Sequence, residues 1–165
     1  MKVDLAMKKI DFSTSFLSCE KDAESILRKL FIESRPYSDY LKRLLVINTK
    51  DCLDNLDNEV YNKKIAEMTL PKLIEDGYIK LAPKIKMPEH EEIKSYIIIT
   101  FDDFTQTSNN EFRDCTINFH VLSHTDYWDL GRCRLRPVRI VGYIDGILNK
   151  AKLSGIGRLE FLSCS

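Results

Sequence analysis

The sequence has little of what would tie it to a membrane, an oxidising compartment or a familiar catalytic centre. It has no run of about eighteen uncharged apolar residues, the length needed to cross a bilayer as a helix. The first ten residues, MKVDLAMKKI, carry charges on both sides of a short apolar stretch, so neither a membrane span nor a signal peptide is expected and a cytoplasmic setting is. Glycine is scarce, at six residues, and scattered. Gly155-Ile156-Gly157 follows a helical stretch instead of opening one, which argues against a phosphate-cradling loop. There is no Gly-x-Ser-x-Gly elbow and no Ser/His/Asp order of a hydrolase. The five cysteines (Cys19, Cys52, Cys115, Cys133 and Cys164) form an odd set without close pairs. That pattern excludes a disulfide framework and a zinc knuckle, and it leaves reduced, mostly buried small hydrophobes. Histidine is limited to His90, His120 and His124. The last two lie four apart in an alternating, strand-like segment, where four residues span about 13 Å, too far for one metal ion. Neither sign of charge is in excess, since 25 basic residues cancel 25 acidic ones. A nearly neutral isoelectric point argues against a protein whose main role is to hold nucleic acid through its phosphates. No catalytic residue, metal site, cofactor or membrane contact is therefore expected.

What remains is a 165-residue chain with 44% apolar residues, enough for one domain, 1–165, around one core. Residues 1–17 lack sustained periodicity and read as an arm. From Lys21 to Glu33 the residues Ala23, Ile26, Leu27, Leu30 and Phe31 repeat at the spacing of one helical face, with Ser18 placed as a cap. Pro36 can open a second helix bearing Tyr37, Tyr40, Leu41, Leu44 and Leu45. A third covers about Glu59 to Met68, and Thr69-Leu70-Pro71 restarts or kinks it until Gly77 supplies a stop, so 18–77 is a helical part. Strands follow. Tyr78 to Met87 alternates, with Pro83 and lysines Lys80, Lys84 and Lys86 marking an edge strand. Lys94 to Phe104 holds the near-continuous apolar run of a central strand covered on both faces. Phe112 to Ser123 should pair with it antiparallel across the polar loop Thr105 to Glu111. Pro137 opens a last helix, which Gly155 and Gly157 end, and Arg158 to Cys164 reads as a final strand. The fold class is α+β: N-terminal helices, then over 78–165 a mainly antiparallel sheet with a helix packed on it.

Two constellations invite a functional reading. Glu92 and Lys94 at one end of a strand, with Asp102 and Asp103 at the other, have the residue types of a small metal-dependent nuclease. Ten residues of extended strand separate Glu92 from Asp102 by about 33 Å, however, so they cannot share an ion. The second is Arg132, Arg134, Arg136 and Arg139 beside the loop Asp126-Tyr127-Trp128-Asp129. Arginine, tyrosine and tryptophan are the residues that anchor protein interfaces. Tyr127, Trp128, Arg132, Arg134 and Arg136, together with Phe161 in the unprotected last strand, are the interface candidates.

Residues 78–165 also resemble a known family. The order Ser95-Tyr-Ile-Ile-Ile-Thr-Phe101, the polar loop Thr105 to Glu111, Arg113-Asp-Cys-Thr-Ile-Asn-Phe-His-Val-Leu122, a helix from Val138 to Lys152 and a strand from Leu159 to Cys164 is similar to that of the tail-terminator and tail-completion (neck, head–tail joining) proteins of long-tailed bacteriophages. The helical part before the sheet is longer than in that family, and the family's usual further strand has no counterpart before Ser165. The resemblance implies a structural virion protein without enzymatic activity. Its partners would be other copies of itself, in a homo-hexamer or larger ring, with the connector and tail-tube proteins and a lumenal contact with viral DNA. It would reside in the virion neck, and in the host cytoplasm during assembly. An intracellular protein-binding adaptor that uses the helical half is the alternative, and a small metal-dependent nuclease the third.

Overall fold

A computed structural model describes residues 18–81, 94–108, 113–153 and 156–164 of the chain. The expected arm 1–17, the turn holding His90 and Glu92, the strand positions Pro83, Lys84 and Lys86, and Gly155 lie outside the described residues.

Helix α1, Ser18–Arg28, runs directly into a π-helical turn at Lys29–Glu33. Its apolar stripe from Ala23 to Phe31 is at most 2% exposed, so the 3.6-residue spacing is the face that meets the core. Ser18 is the helix's first residue and not a cap before it. In helix α2, Tyr37–Val46, Leu41, Leu44 and Leu45 are fully buried, while Tyr37, expected on the same stripe, faces out. Helix α3, Glu59–Glu67, begins where the Asn58 side chain accepts the Tyr61 N–H, filling one of the donors a helix start leaves open.

Helix α4, Leu70–Glu75, carries Pro71 in its first turn, where a missing N–H costs nothing. It closes at Gly77, whose φ of +72° is the left-handed conformation that a side chain disfavours. The Gly77 N–H donates to the Ile74 carbonyl at 3.0 Å and the Tyr78 N–H to that of Leu73 at 2.9 Å, the two bonds of a Schellman cap.

The chain then enters strand β1, Ile79–Leu81, which pairs in parallel with β2, Ser95–Gln106. Strand β3, Arg113–Ser123, pairs antiparallel with the other side of β2, from Ser95 opposite Ser123 to Gln106 opposite Arg113. The register shifts between Asp102 and Thr105, where Asp103 has a positive φ, so one residue bulges from the ladder. The fold is α+β, as expected, and the strand at its centre is covered on both faces. Ile97 and Ile99 point into the main core, and Tyr96, Ile98 and Thr100 are buried on the opposite face.

Helix α5, Arg136–Leu148, buries Ile140, Ile144 and Leu148 and packs along β3 and against α2. It stops at Asn149, ahead of the expected glycine stop. The final strand differs from expectation in both length and partner. Only Gly157–Arg158 (β5) is strand, and it pairs with Lys152–Leu153 (β4) in a separate two-stranded ribbon. The ladder is extended by Lys150 N–H to Leu159 O and Leu159 N–H to Ala151 O, each 2.9 Å. Closing so short a loop costs little entropy, so the segment pairs with its neighbour in sequence and never reaches the sheet.

Replacing Gly77 by Ala should lower the unfolding free energy by about 1–2 kcal/mol, the cost of a Cβ in the left-handed region. Urea denaturation should show a lower midpoint and an unchanged slope.

Candidate functional site

The arginine-rich segment sits between the end of β3 and the start of α5, and most of it is turned inward. Arg136 is 0% exposed. Its Nη1 donates to the carbonyls of Leu44 (2.6 Å) and Ile47 (2.8 Å), its Nη2 to Thr49 O (2.8 Å) and its Nε to Tyr127 O (2.7 Å). Its backbone N–H bonds Trp128 O at 2.7 Å. Leu44 and Ile47 belong to the last turn of α2 and its cap, where unpaired carbonyls and the negative end of the helix dipole favour a cation. A carboxylate is not needed. Burial still pushes the guanidinium below the ordinary arginine range. Burial likewise pushes the neighbouring Cys52 thiol up, and the charge of Arg136 acts in the opposite direction.

Arg43, on α2, performs the same task for the next loop. Buried to 3% exposure, it donates to the carbonyls of Cys52 (3.2 Å), Asn55 (3.3 Å) and Leu56 (3.1 Å), and to Asn62 Oδ1. Two ion pairs close the outer seam. Arg134 meets Asp54 in a two-pronged contact of 2.8 and 2.5 Å and also donates to Leu130 O and Gly131 O. Lys50 Nζ lies 2.7 Å from Asp129. The Arg134 hydrogen bond holds the Asp54 carboxyl below the usual range, and the Lys50 hydrogen bond does the same for Asp129.

The interface candidates therefore separate. Arg136 has no surface to offer a partner, which corrects its place among them, and Arg134 is engaged within the chain. Tyr127 is half-buried, its ring 6.1 Å from that of His124. Trp128 is 44% exposed, held in place by a 2.8 Å bond from Nε1 to Ser123 O. Arg132 is exposed on a turn with positive φ, and Phe161 is exposed beside Asn149. The cysteines also differ from expectation, because only Cys52 is buried and Cys115, Cys133 and Cys164 are exposed.

Of the residues considered for metal chemistry, Glu92 lies outside the described residues, and Lys94 and Asp102 stand toward opposite ends of β2 with separate partners. Lys94 Nζ donates to Asp76 O at 3.0 Å, while Asp102, far along β2, accepts from Asn118 Nδ2 (2.7 Å) and Thr100 Oγ1 (3.1 Å). Among the described residues no three His, Cys, Asp or Glu side chains converge as a metal site would require, and no helix is long and apolar enough to cross a membrane.

Two features had no clear sequence signal. Arg43 looks like an ordinary charge within an amphipathic helix. Tyr37, Tyr40 and Tyr143 come together from α2 and α5 with centroid separations of 5.9–6.3 Å. Burial pushes the Tyr143 phenol up.

Two outcomes follow from this geometry. Arg136→Met leaves four carbonyls without their donor, at about 1–3 kcal/mol for each buried one, so a loss of at least about 3 kcal/mol is expected in chemical denaturation. Arg132→Met should change stability by no more than about 0.5 kcal/mol. Asp54 and Asp129 are held ionised by their partners, so their contribution is complete above the ordinary Asp value of about 4 and is lost as pH falls through the lower folded-state values. The fluorescence of Trp128, the sole tryptophan, should report that loosening. In Asp54→Asn/Asp129→Asn it should already show at pH 7 the emission that the unaltered protein reaches only in acid.

No curated protein and no solved structure matches the chain. The YomW family model matches residues 38–165, which covers α2, both loops that the buried arginines fasten, the sheet and α5. With more than three quarters of its length matched, the chain belongs to the YomW family, a bacteriophage-associated family.

Proposed function

We propose that this protein is a structural virion component of the phage neck, forming a ring that terminates the tail tube and joins it to the head connector. The observation that carries the reading is a long antiparallel β2–β3 hairpin with α5 packed along β3, in a chain that belongs to a phage-associated family. The order of hairpin and helix is the part of the tail-terminator resemblance that this fold shares; the strand from Leu159 to Cys164 that the resemblance also includes is not formed. The arginine-rich loop supports a structural role as well, because its guanidiniums brace the backbone instead of surrounding a reactive centre. Copies of this chain would be its first partners, followed by the connector and tail-tube proteins. A balanced charge leaves lumenal DNA as a minor contact. The site of action is the virion, reached from the host cytoplasm during assembly.

Light scattering at several concentrations, alone and with tail tubes or connectors added, tests the proposal. A closed ring, formed either in solution or on those templates, is the expected result. A monomer that also ignores tubes and connectors would overturn it and turn attention to an adaptor role for the helical half.

A further inference from the structure

The outer side of α5 carries a surface that internal packing does not use. Leu135 and Val138 are 48% and 64% exposed, and with Arg139, Gly142 and Tyr143 they line a shallow cleft. Tyr37, 54% exposed, stands beside it with its ring centroid 6.3 Å from that of Tyr143. Gly142 adds no side chain, and the space above it is open. Among the described residues, the ion pairs of this region are Arg134 with Asp54, Lys50 with Asp129 and Arg35 with Asp39, so Arg132 and Arg139 enter none of them. Exposed aliphatics, tyrosines and unspent arginines make up the composition of a protein-binding anchor.

Toward the far end of the hairpin stand several exposed carboxylates. Asp102, Asp103 and Asp114 are exposed there, and Phe104 lies half-buried among them. Asp114 is nine strand positions from Ser123, about 30 Å, and Ser123 is the end of β3 that leads into the arginine loop and α5. The aspartates thus lie about 30 Å along β3 from the strand end that leads into α5, and a separation of that kind suits a head-to-tail contact between identical subunits.

We infer that the tyrosine and arginine patch of α2 and α5 docks on the acidic hairpin end of the next copy of this chain. This rests on the ring-forming reading and names the surfaces that would build the ring. A phosphate backbone could take the arginines but would leave Leu135 and Val138 in water, whereas a second protein surface covers both and gains from burying them.

Charge reversal tests the pairing. The solution mass is measured for the unaltered protein, Arg139→Glu, Asp114→Arg and the double variant, with circular dichroism to confirm folding. Each single reversal sets like charges against each other and should raise the concentration for half-assembly at least about tenfold. The double variant restores an opposite pair and should return it to near the original value. Rings that persist in both single variants would overturn the inference while leaving the ring itself intact. Loss in both singles without rescue in the double would overturn it too, as would an Arg139→Glu protein that keeps its ring but loses salt-dependent binding to a duplex DNA probe. If the unaltered protein forms no ring alone or on tail tubes, the proposed function fails and this contact fails with it.

Discussion

A guanidinium that cannot lose its proton sits at full burial with no carboxylate paired to it among the described residues, and the architecture is arranged around that constraint. An isolated charge in a low-dielectric interior is costly, so the protein must supply what water would have supplied. Here the solvation comes from carbonyls that the end of α2 leaves unpaired, reinforced by the dipole of the same helix. Satisfying Arg136 therefore dictates where α5 starts and where 127–128 runs, and it holds 47–49 against both. Arg43 repeats the device one loop later, so α2 is fastened at its end by one buried arginine and itself fastens the next loop with another.

Using carbonyls as counter-dipoles has a consequence for the surface. No carboxylate among the described residues pairs with Arg136 or Arg43; Asp54 and Asp129 instead pair with Arg134 and Lys50 on the outer seam, and Asp102, Asp103 and Asp114 are exposed toward the hairpin end. The chain is neutral in sum but not uniform in space. The side of α5 that faces away from the core carries tyrosine, aliphatic and arginine side chains, and the bulged end of the hairpin carries aspartates. A separation of this kind gives a neutral subunit a direction. That property suits a protein of a phage-associated family whose proposed role is to repeat around an axis.

The limits of legibility in the sequence show in particular residues. Arg132, Arg134, Arg136 and Arg139 look alike as a cluster, yet one is fully buried, one is paired with Asp54 and two face outward. Their roles depend on where the carbonyls of residues 44–49 lie, almost ninety positions earlier. The expectation of mostly buried cysteines failed because burial belongs to a position in the fold and not to the thiol. The C-terminal segment is extended at Arg158 but joins Lys152–Leu153 and not the main sheet, since alternation says nothing about which partner is nearest.

By itself the sequence determined what depends on neighbours within a turn or two: the buried stripe of α1, the proline starts of α4 and α5, the glycine stop at Gly77 and the hairpin pairing of β2 with β3. These are matters of backbone geometry and of apolar spacing, which each segment carries alone. Only the tertiary structure decided that Arg136 caps α2, that Tyr37, Tyr40 and Tyr143 share a surface, and that the C-terminal segment folds back on 150–153. Each of these depends on distances between segments, and those distances exist only once the core has closed.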